Sequence, residues 1–332
     1  MGRRWSRLRA VATEAYRKVI CPRNHVRVNG LRGRVTPNLF GVSFGFAGLA
    51  ACWNQQVTVV ADALWIVAGL VWLATIVAYG SQRPRDHHDP TFAPFLSLIA
   101  IVPMMMAVPL AAHVRVAGVA LYLAGLIGTV LFGGWLSARW IVEDIPYARW
   151  HPGYFLPTVA GGLIAAQSAA LLGYAPLAYL MLGFGVVCWL VLGSILLLRL
   201  FTQPTLAPGL LPTMAIEVAP PVVAGNAWFA INGRHADVVA LMLAGYAMLM
   251  VLLQAGLVPL YRKAPFGPGW WAFSFAYAAV FADALQWLRA EDVPARAAWS
   301  YVLLTVISGW VLYLCVRTVL AMTRHTFLPP RT

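Results

Sequence analysis

The sequence predicts an all-α integral membrane protein of ten transmembrane helices, which form five helical hairpins in a quasi-fivefold arrangement around a central pore. Three observations lead to this prediction: the composition is strongly apolar, apolar stretches of membrane-spanning length recur along the chain, and proline returns at a nearly constant interval. Hydrophobic residues make up 61% and charged residues 11% of the 332 positions, and the mean hydropathy is +0.74. Soluble domains carry about 25% charged residues, so this composition excludes nearly every class of soluble protein.

Ten apolar stretches are long enough to cross a bilayer, whose core of about 30 Å needs about 20 helical residues. We number them spans 1 to 10, and they lie at residues 37–56, 61–80, 94–113, 116–136, 150–172, 175–199, 207–230, 238–261, 269–289 and 297–320. They predict a transmembrane domain over 37–320, preceded by a basic segment over 1–36 and followed by a short cytoplasmic tail over 321–332.

The basic segment holds ten basic residues and one acidic residue, Glu14, and lacks the apolar stretch of a signal peptide. Five apolar residues fall on one helical face: Trp5, Leu8, Ala12, Val19 and Ile20. This pattern is typical of an amphipathic helix that lies on anionic lipid at the membrane surface. A basic tail without fixed structure accounts for the composition equally well.

The basic residues are distributed unevenly between the two sides of the predicted domain. When alternate loops are assigned to opposite sides, twenty Lys and Arg residues lie on the side of both termini, and four lie on the other: Arg115, Arg234, Arg289 and Arg296. By the positive-inside rule, both termini are cytoplasmic and the protein crosses the plasma (inner) membrane. The net charge of +13 therefore indicates topology, and nucleic acid is not an expected partner.

Other chemistry leaves no pattern in the sequence. The cysteines Cys21, Cys52, Cys188 and Cys315 stand apart, without histidine at ligand spacing, so neither a metal nor a cofactor is expected. The motifs HExxH, GxSxG and CxxCH do not occur, and this argues against a membrane enzyme or a haem protein.

Proline marks a fivefold internal repeat. Pro37, Pro94, Pro152, Pro208 and Pro268 lie near the starts of the odd-numbered spans, at spacings of 57, 58, 56 and 60 residues. A period of that length that holds two spans means that each repeat is a helical hairpin. Because every repeat then enters the membrane in the same direction, the repeats are expected to surround an axis along the membrane normal.

Prolines inside the spans indicate which helices face that axis. They occur in odd-numbered spans: Pro103, Pro109, Pro157, Pro212, Pro220 and Pro221. An interior proline frees a backbone carbonyl, which is tolerated in a membrane where protein or a water-filled cavity covers it. The odd-numbered helices should therefore line the axis, and the alternative is that the prolines merely kink packed helices.

Glycines add two expectations about packing. Gly41, Gly45 and Gly48 in span 1 allow either close helix packing or a wide lumen. The glycines of span 4, from Gly118 to Gly134, predict a face that packs between repeats or between subunits.

Four stretches carry a family resemblance: PNLFGVSFGFAGLA in span 1, HPGYFLPTV in span 5, LPTMAIEVAPPVVA in span 7 and WWAFSFAYAA in span 9. With these motifs, residues 37–320 resemble the tellurite-resistance/dicarboxylate transporter family, which groups bacterial TehA-type proteins with fungal malate transporters and plant slow anion channels. The resemblance implies homotrimers with one pore per subunit, and a phenylalanine of span 9 that plugs the pore. Phe275 matches that phenylalanine, and Ala276 stands where many relatives have proline.

The resemblance implies a gated channel that passes small monovalent anions. The alternative is a proton-coupled transporter of C4-dicarboxylates such as malate, or a tellurite-related transporter. The middles of the spans hold almost no Lys or Arg, so no fixed cation pairs with the ion there. We therefore expect loose selection for weakly hydrated monovalent anions, which disfavours tight recognition of a dianion.

On a helix, Phe275 shares a face with Trp271, Ala279, Ala282 and Gln286. An aromatic ring followed by alanines suits a plug below a wider lumen, although Phe275 as an ordinary core aromatic is the alternative. The candidates for pore lining are Ala279, Ala282, Gln286, Pro103, Pro220 and Glu217.

Two acidic residues lie inside the predicted membrane domain, where ionisable groups are costly and suggest a function. Glu217 precedes the Pro-Pro pair of span 7, and it is either a structural hydrogen-bonding group or a proton-coupling site. Asp283 in span 9 is a second candidate for proton coupling, although its position off the Phe275 face favours a hydrogen bond between helices. Trp270 and Trp271 at the start of span 9 are expected to be interfacial anchors.

Overall fold

The computed structural model describes residues 34–54, 56–82, 86–291 and 293–329, and the predicted basic segment lies outside these ranges except for its last three residues. The described part of the chain contains ten α-helices and no β-strand. Their bounds are α1 Phe40–Trp53, α2 Thr58–Gly80, α3 Leu98–His113, α4 Arg115–Val142, α5 Gly161–Leu171, α6 Ala175–Thr202, α7 Ala219–Ile231, α8 Val238–Tyr261, α9 Ala272–Ala290 and α10 Arg296–Thr323.

Eight of these helices, taken with the turns that open them, are long and apolar enough to cross a membrane, and α1 and α9 fall outside that set. The chain is therefore a multi-pass membrane protein. The even-numbered helices are the longer ones: α4, α6 and α10 each have 28 residues, whereas α1 has 14 and α5 has 11.

Each odd-numbered helix opens with a 3₁₀ turn that contains a proline of the repeat. These turns are Pro37–Leu39, Ala93–Ser97, Pro152–Phe155, Pro208–Val218 and Pro268–Trp271. The N–H groups in the first turn of a helix have no acceptor within the helix. Proline, which has no N–H group, therefore suits this position. A π-turn, Leu156–Ala160, lies between the 3₁₀ turn and α5.

The interior prolines differ in their structural roles. Pro103 and Pro109 lie inside α3, as a kinking role requires. Pro220 and Pro221 instead occupy the first turn of α7, where the preceding 3₁₀ stretch ends. They begin an α-helix and do not bend one, because the eleven-residue 3₁₀ stretch displaces the start of the α-helix in this span.

Helix contacts separate an inner set from an outer set. The odd-numbered helices contact one another in a closed cycle, from α1 to α3, α5, α7, α9 and back to α1. Each even-numbered helix packs on the odd-numbered helix of its own hairpin. The stretch Pro208–Ile231 has 83% of its apolar window buried, against 22% for Val238–Tyr261, so the outer helices present their apolar side chains outward.

The outer helices also cover the next inner helix along the chain, with one exception among the described residues. Helix α2 packs on α3, α4 on α5, α6 on α7 and α10 on α1, but α8 makes far less contact with α9. Part of α9 is consequently left uncovered on the outside of the domain.

The glycines of spans 1 and 4 permit close helix approach. A Cβ atom at Gly48 would lie 3.0 Å from the Cβ of Ala278 in α9, so this face of α1 serves packing. Gly125 of α4 lies against Met104 of α3, so it packs between the two helices of one hairpin. The sequence had instead predicted that the glycines of span 4 pack between repeats or between subunits. Gly133 faces the carbonyl of Pro157, at the boundary between two repeats.

Candidate functional site

A cavity lies among the N-terminal ends of the odd-numbered helices. It contains about 620 Å³ of space between atoms, including the part that is open to solvent. Every side chain that lines it comes from an odd-numbered helix or its opening turn, and all five hairpins contribute: Asn38, Gly41, Phe44, Phe95, Leu98, Phe155, Leu156, Val159, Ala160, Ile216, Ala219, Pro220, Val223, Pro268, Gly269, Trp271, Ala272, Phe275 and Ala276.

The repeat register predicts which residues face this cavity. Gly41, Leu98, Leu156 and Ala272 line it, and each lies four residues after the opening proline of its repeat. Span 7 departs from this register, because its eleven-residue 3₁₀ stretch rises about 2.0 Å per residue where an α-helix rises about 1.5 Å.

Two phenylalanine rings stack across one end of the cavity. The rings of Phe44 in α1 and Phe275 in α9 have centroids 3.5 Å apart and planes inclined by 13°. Both side chains are buried and line the cavity. Gly48 provides the space for this pair, because an added Cβ would lie 3.1 Å from the Phe275 ring.

Beyond Phe275, the residues of α9 on the same helical face are nearly buried. Ala279, Ala282 and Gln286 are 6%, 9% and 6% exposed, whereas Ala278 and Leu285 are fully buried. Ala279, Ala282 and Gln286 follow Phe275 at helical spacing, so they lie along one face of the helix. These three residues do not line the cavity itself.

The cavity wall is apolar. Among its described residues none is charged, and Asn38 accepts a hydrogen bond of 2.6 Å from the hydroxyl of Thr36. The cavity sits where the odd-numbered helices begin, and the first turns of helices carry unpaired N–H groups and the positive ends of helix dipoles.

The structure corrects the expectation for Trp271. This side chain is 1% exposed, lines the cavity and donates a hydrogen bond of 3.0 Å to the hydroxyl of Thr318 in α10, so it is not an interfacial anchor. Trp270 is half-buried and donates to the carbonyl of Pro265. Tryptophans near span ends are common both at membrane interfaces and in cores, so the sequence does not distinguish these environments.

Glu217 lies behind the cavity wall. It belongs to the 3₁₀ stretch of span 7, is 3% exposed, and its Oε1 has no hydrogen-bond partner among the described residues. Tyr246 and Tyr261 of α8 are within electrostatic reach of its carboxyl group. Tyr261 also donates to Gln254, which donates to the carbonyl of Met214, so a polar cluster joins span 7 to α8.

Asp283 and Pro103 lie away from the cavity. Pro103 is buried inside α3. Asp283 is 7% exposed, interacts with the indole of Trp287 and packs over Gly225 of α7. Of the residues predicted to form the gate, line the pore or couple protons, the structure therefore brings Phe275 and Pro220 to the cavity, while Glu217, Asp283 and Pro103 lie elsewhere.

The sequence prediction missed Phe44, although the repeat contains a signal for it. Phe44 and Phe275 each lie seven residues after the opening proline of their repeat, Pro37 and Pro268. Comparing equivalent positions of spans 1 and 9 would have paired the two rings. In the described part of the chain, no group of three His, Cys, Asp or Glu side chains could hold a metal ion.

Comparisons with known proteins relate the chain to a family and to two proteins of similar sequence. The family model described as SLAC1, voltage-dependent anion channel, matches residues 34–319. The tellurite resistance protein TehA homolog of Haemophilus influenzae is 29% identical over 302 residues, which cover 87% of this chain and 91% of that protein. The S-type anion channel SLAH1 of Arabidopsis thaliana is 31% identical over 139 residues, which cover 41% of this chain and 36% of that protein.

Proposed function

Because the chain belongs to the SLAC1 family of voltage-dependent anion channels, we propose that it is a gated channel for small monovalent anions. The anion path runs along the axis between the odd-numbered helices, and Phe275 closes it. The five hairpins surround this path in a quasi-fivefold arrangement, and the closed cycle of contacts among the odd-numbered helices supports that arrangement.

The stacked pair of Phe44 and Phe275 is the observation that carries this proposal. The two rings, 3.5 Å apart, end a cavity to which all five hairpins contribute. An aromatic barrier of this kind blocks ions by steric exclusion and by keeping water out. Ala279, Ala282 and Gln286 follow Phe275 at helical spacing, and this register supports a continuation of the path beyond the rings.

The apolar wall supports selection by dehydration. With no charged side chain among the described residues of the cavity, an entering anion loses water without gaining a fixed counter-ion. Such a path favours anions that give up water easily, and the positive ends of five helix dipoles disfavour cations. A dianion such as malate would lose far more hydration energy and is a poorer fit.

Planar-bilayer recording of the Phe275→Ala variant tests the gate. We expect anion conductance to rise by about an order of magnitude or more, because a methyl group cannot close the cavity. Phe281→Ala is the matched control, since Phe281 is a half-buried phenylalanine of the same helix that does not line the cavity. Equal conductance in wild type, Phe275→Ala and Phe281→Ala would reject Phe275 as the gate.

Glu217 supports a second candidate function, a proton-coupled carrier of C4-dicarboxylates or of tellurite-related anions. A buried carboxyl group with a free Oε1 could bind and release a proton during transport. Liposome uptake of malate with and without a pH gradient tests this candidate. Uptake that needs the gradient and disappears in Glu217→Gln would support the carrier, whereas chloride flux that is independent of pH would support the channel.

The resemblance to the family also leads us to expect a homotrimer with a separate pore in each subunit. Multi-angle light scattering of the detergent-solubilised protein would measure the mass of the assembly. A protein mass three times the 36.2 kDa of one chain is the expected result.

A further inference from the structure

A groove lies on the outside of the domain, between α8 and α10. Its volume is about 420 Å³, which is within the range of small-molecule sites. Its floor is the part of α9 that α8 leaves uncovered. The lining is apolar or aromatic apart from one acid, Asp283, and it includes Ala244, Met248, Ala284, Trp287, Trp299 and Leu303.

The groove is distinct from the axial cavity. The two share no lining residue. On α9 they occupy different faces, because Ala284 lies about 180° around the helix from Phe275. Since the groove opens between two outer helices whose apolar side chains face outward, a molecule would enter it from within the bilayer.

Asp283 is the charged group of this groove. Its side chain is 7% exposed, and its Oδ1 has no hydrogen-bond partner among the described residues. The carboxyl group rests on Gly225 of α7, where an added Cβ would lie 2.5 Å from Oδ1. The structure thus holds a carboxyl group at the edge of an apolar groove with part of its hydrogen-bonding capacity unused.

We propose that this groove binds a lipophilic amine, meaning an amphiphile with one basic nitrogen and an apolar body. The apolar body fits between Ala244, Met248 and Leu303, and the nitrogen lies against the carboxyl group of Asp283. Complementary charge selects this ligand class: a buried carboxyl group and an amine can share one proton in a charge-assisted hydrogen bond, whereas a fatty acid would bring two acids together. The indole of Trp287 interacts with this carboxyl group, and a plain acyl chain would leave its Oδ1 without a partner.

Binding would act on the pore through α9, and this consequence rests on the proposed channel function. Asp283 adjoins Ala282, which belongs to the line that continues from Phe275. The groove is therefore one helix thickness away from the proposed gate. A ligand there would shift anion conductance by preferring one position of α9 over another.

Equilibrium binding of radiolabelled dodecylamine to the full-length protein in lipid nanodiscs tests the site. We expect a saturable component above that of empty nanodiscs, with no comparable component for labelled dodecanol. Asp283→Asn should weaken the saturable binding by about tenfold or more, because it removes the ionisable partner of the nitrogen. Ala244→Trp should abolish it by filling the groove while leaving the carboxyl group in place.

Glu217→Gln is the matched control, because Glu217 is a buried acid of the same domain that does not line the groove. Unchanged binding in Asp283→Asn, or equal loss in Glu217→Gln, would overturn the proposal. Equal saturable binding of dodecanol would make the site a lipid site and would overturn it as well.

A second copy of the chain is the other occupant to consider. Efficient photo-cross-linking between subunits by a benzophenone attached to a Trp299→Cys variant, above the level of labelled wild type, would mean that a neighbouring chain fills the groove, and this too would overturn the proposal. Binding is measured without ion flux, so a protein that binds dodecylamine but conducts no anion would refute the proposed function and leave this site standing.

Discussion

The imidazole of His151 is fully buried immediately before the opening turn of span 5. Its Nδ1 accepts a hydrogen bond of 3.2 Å from the N–H of Gly153, and its Nε2 lies 3.2 Å from the carbonyl of Thr91, to which it donates. This pattern requires the neutral ring. The ring of Phe95, which lines the cavity, stacks on the imidazole at 5.9 Å, so His151 holds part of the cavity wall.

Protonation of His151 should destabilise the protein. Burial lowers its pKa from the ordinary value of 6.5 to about 4, and the nearby positive charge of Arg199 acts in the same direction. The unfolded chain therefore binds the proton more readily, so the stabilisation is complete above about pH 6.5 and is lost as the pH falls towards 4. The loss amounts to at most about 3 kcal/mol for a shift of this size.

Thermal unfolding in detergent between pH 8 and pH 4 measures this effect. In His151→Gln, a neutral amide can accept from Gly153 and donate to Thr91, so its Tm should depend less on pH than that of wild type. His325→Gln, at an exposed histidine, should follow wild type. Parallel curves for wild type and His151→Gln would contradict the assignment.

At the scale of single residues, the sequence identified side chains better than their partners. Phe275 could be found because its motif matches a family pattern, and Glu217 because an acid inside an apolar stretch is conspicuous. The stacking partner Phe44 lies 231 positions away from Phe275 in the chain, and no local pattern joins them. The role of Trp271 depended on which of two apolar environments surrounds it, and that is decided by tertiary packing.

Helix α1 approaches α9, the helix of the proposed gate, closely at Gly45. A Cβ atom at Gly45 would overlap Ser274, lying 2.6 Å from its Cβ. The Cβ of Ser274 is fixed to the backbone of α9, so the overlap cannot be relieved by a side-chain rotation. Only glycine at position 45 permits the two helices to approach this closely.

Gly45→Ala should therefore destabilise the protein by about 1–3 kcal/mol, as overpacking of a filled interior does. Gly134→Ala is the matched control, because a Cβ there would meet nothing within 4 Å. That change should be neutral or stabilising by up to about 1 kcal/mol, since alanine favours a helix over glycine. Denaturant titration of the two purified variants gives the comparison, and equal stabilities would mean that α1 and α9 can separate without loss.

At the scale of elements, the apolar stretches of membrane-spanning length predicted the ten helices, and the proline spacing predicted where the odd-numbered ones begin. The 3₁₀ stretch Pro208–Val218 and the π-turn Leu156–Ala160 were not predicted. An apolar sequence has similar side-chain patterns in α, 3₁₀ and π conformations, so packing against neighbouring helices selects among them. The 3₁₀ conformation shifts the lining positions of span 7 relative to those of the other repeats. It also places Pro220 at the start of α7, where it does not kink a helix.

In the whole molecule, burial differs between the outer and the inner helices, whereas charge differs between the two ends of the helices. Burial increases from the even-numbered helices towards the odd-numbered ones, as it should when lipid surrounds the outer set. Arg139 and Arg199 lie in the last turns of α4 and α6, and Arg262 and Lys263 follow α8, so the end that holds the cavity is the basic one.

The basic end, and the cavity with it, should face the cytoplasm, because Lys and Arg are retained on that side during membrane insertion. Reporter fusions to the full chain test this orientation. Green fluorescent protein after Thr332 should fluoresce, and alkaline phosphatase at the same site should be inactive. Phosphatase inserted after Gly233, in the turn between α7 and α8 at the opposite end, should be active. An active phosphatase after Thr332 would invert the topology, and the cavity would then be the outer entrance of the anion path and Gln286 would lie towards the cytoplasm.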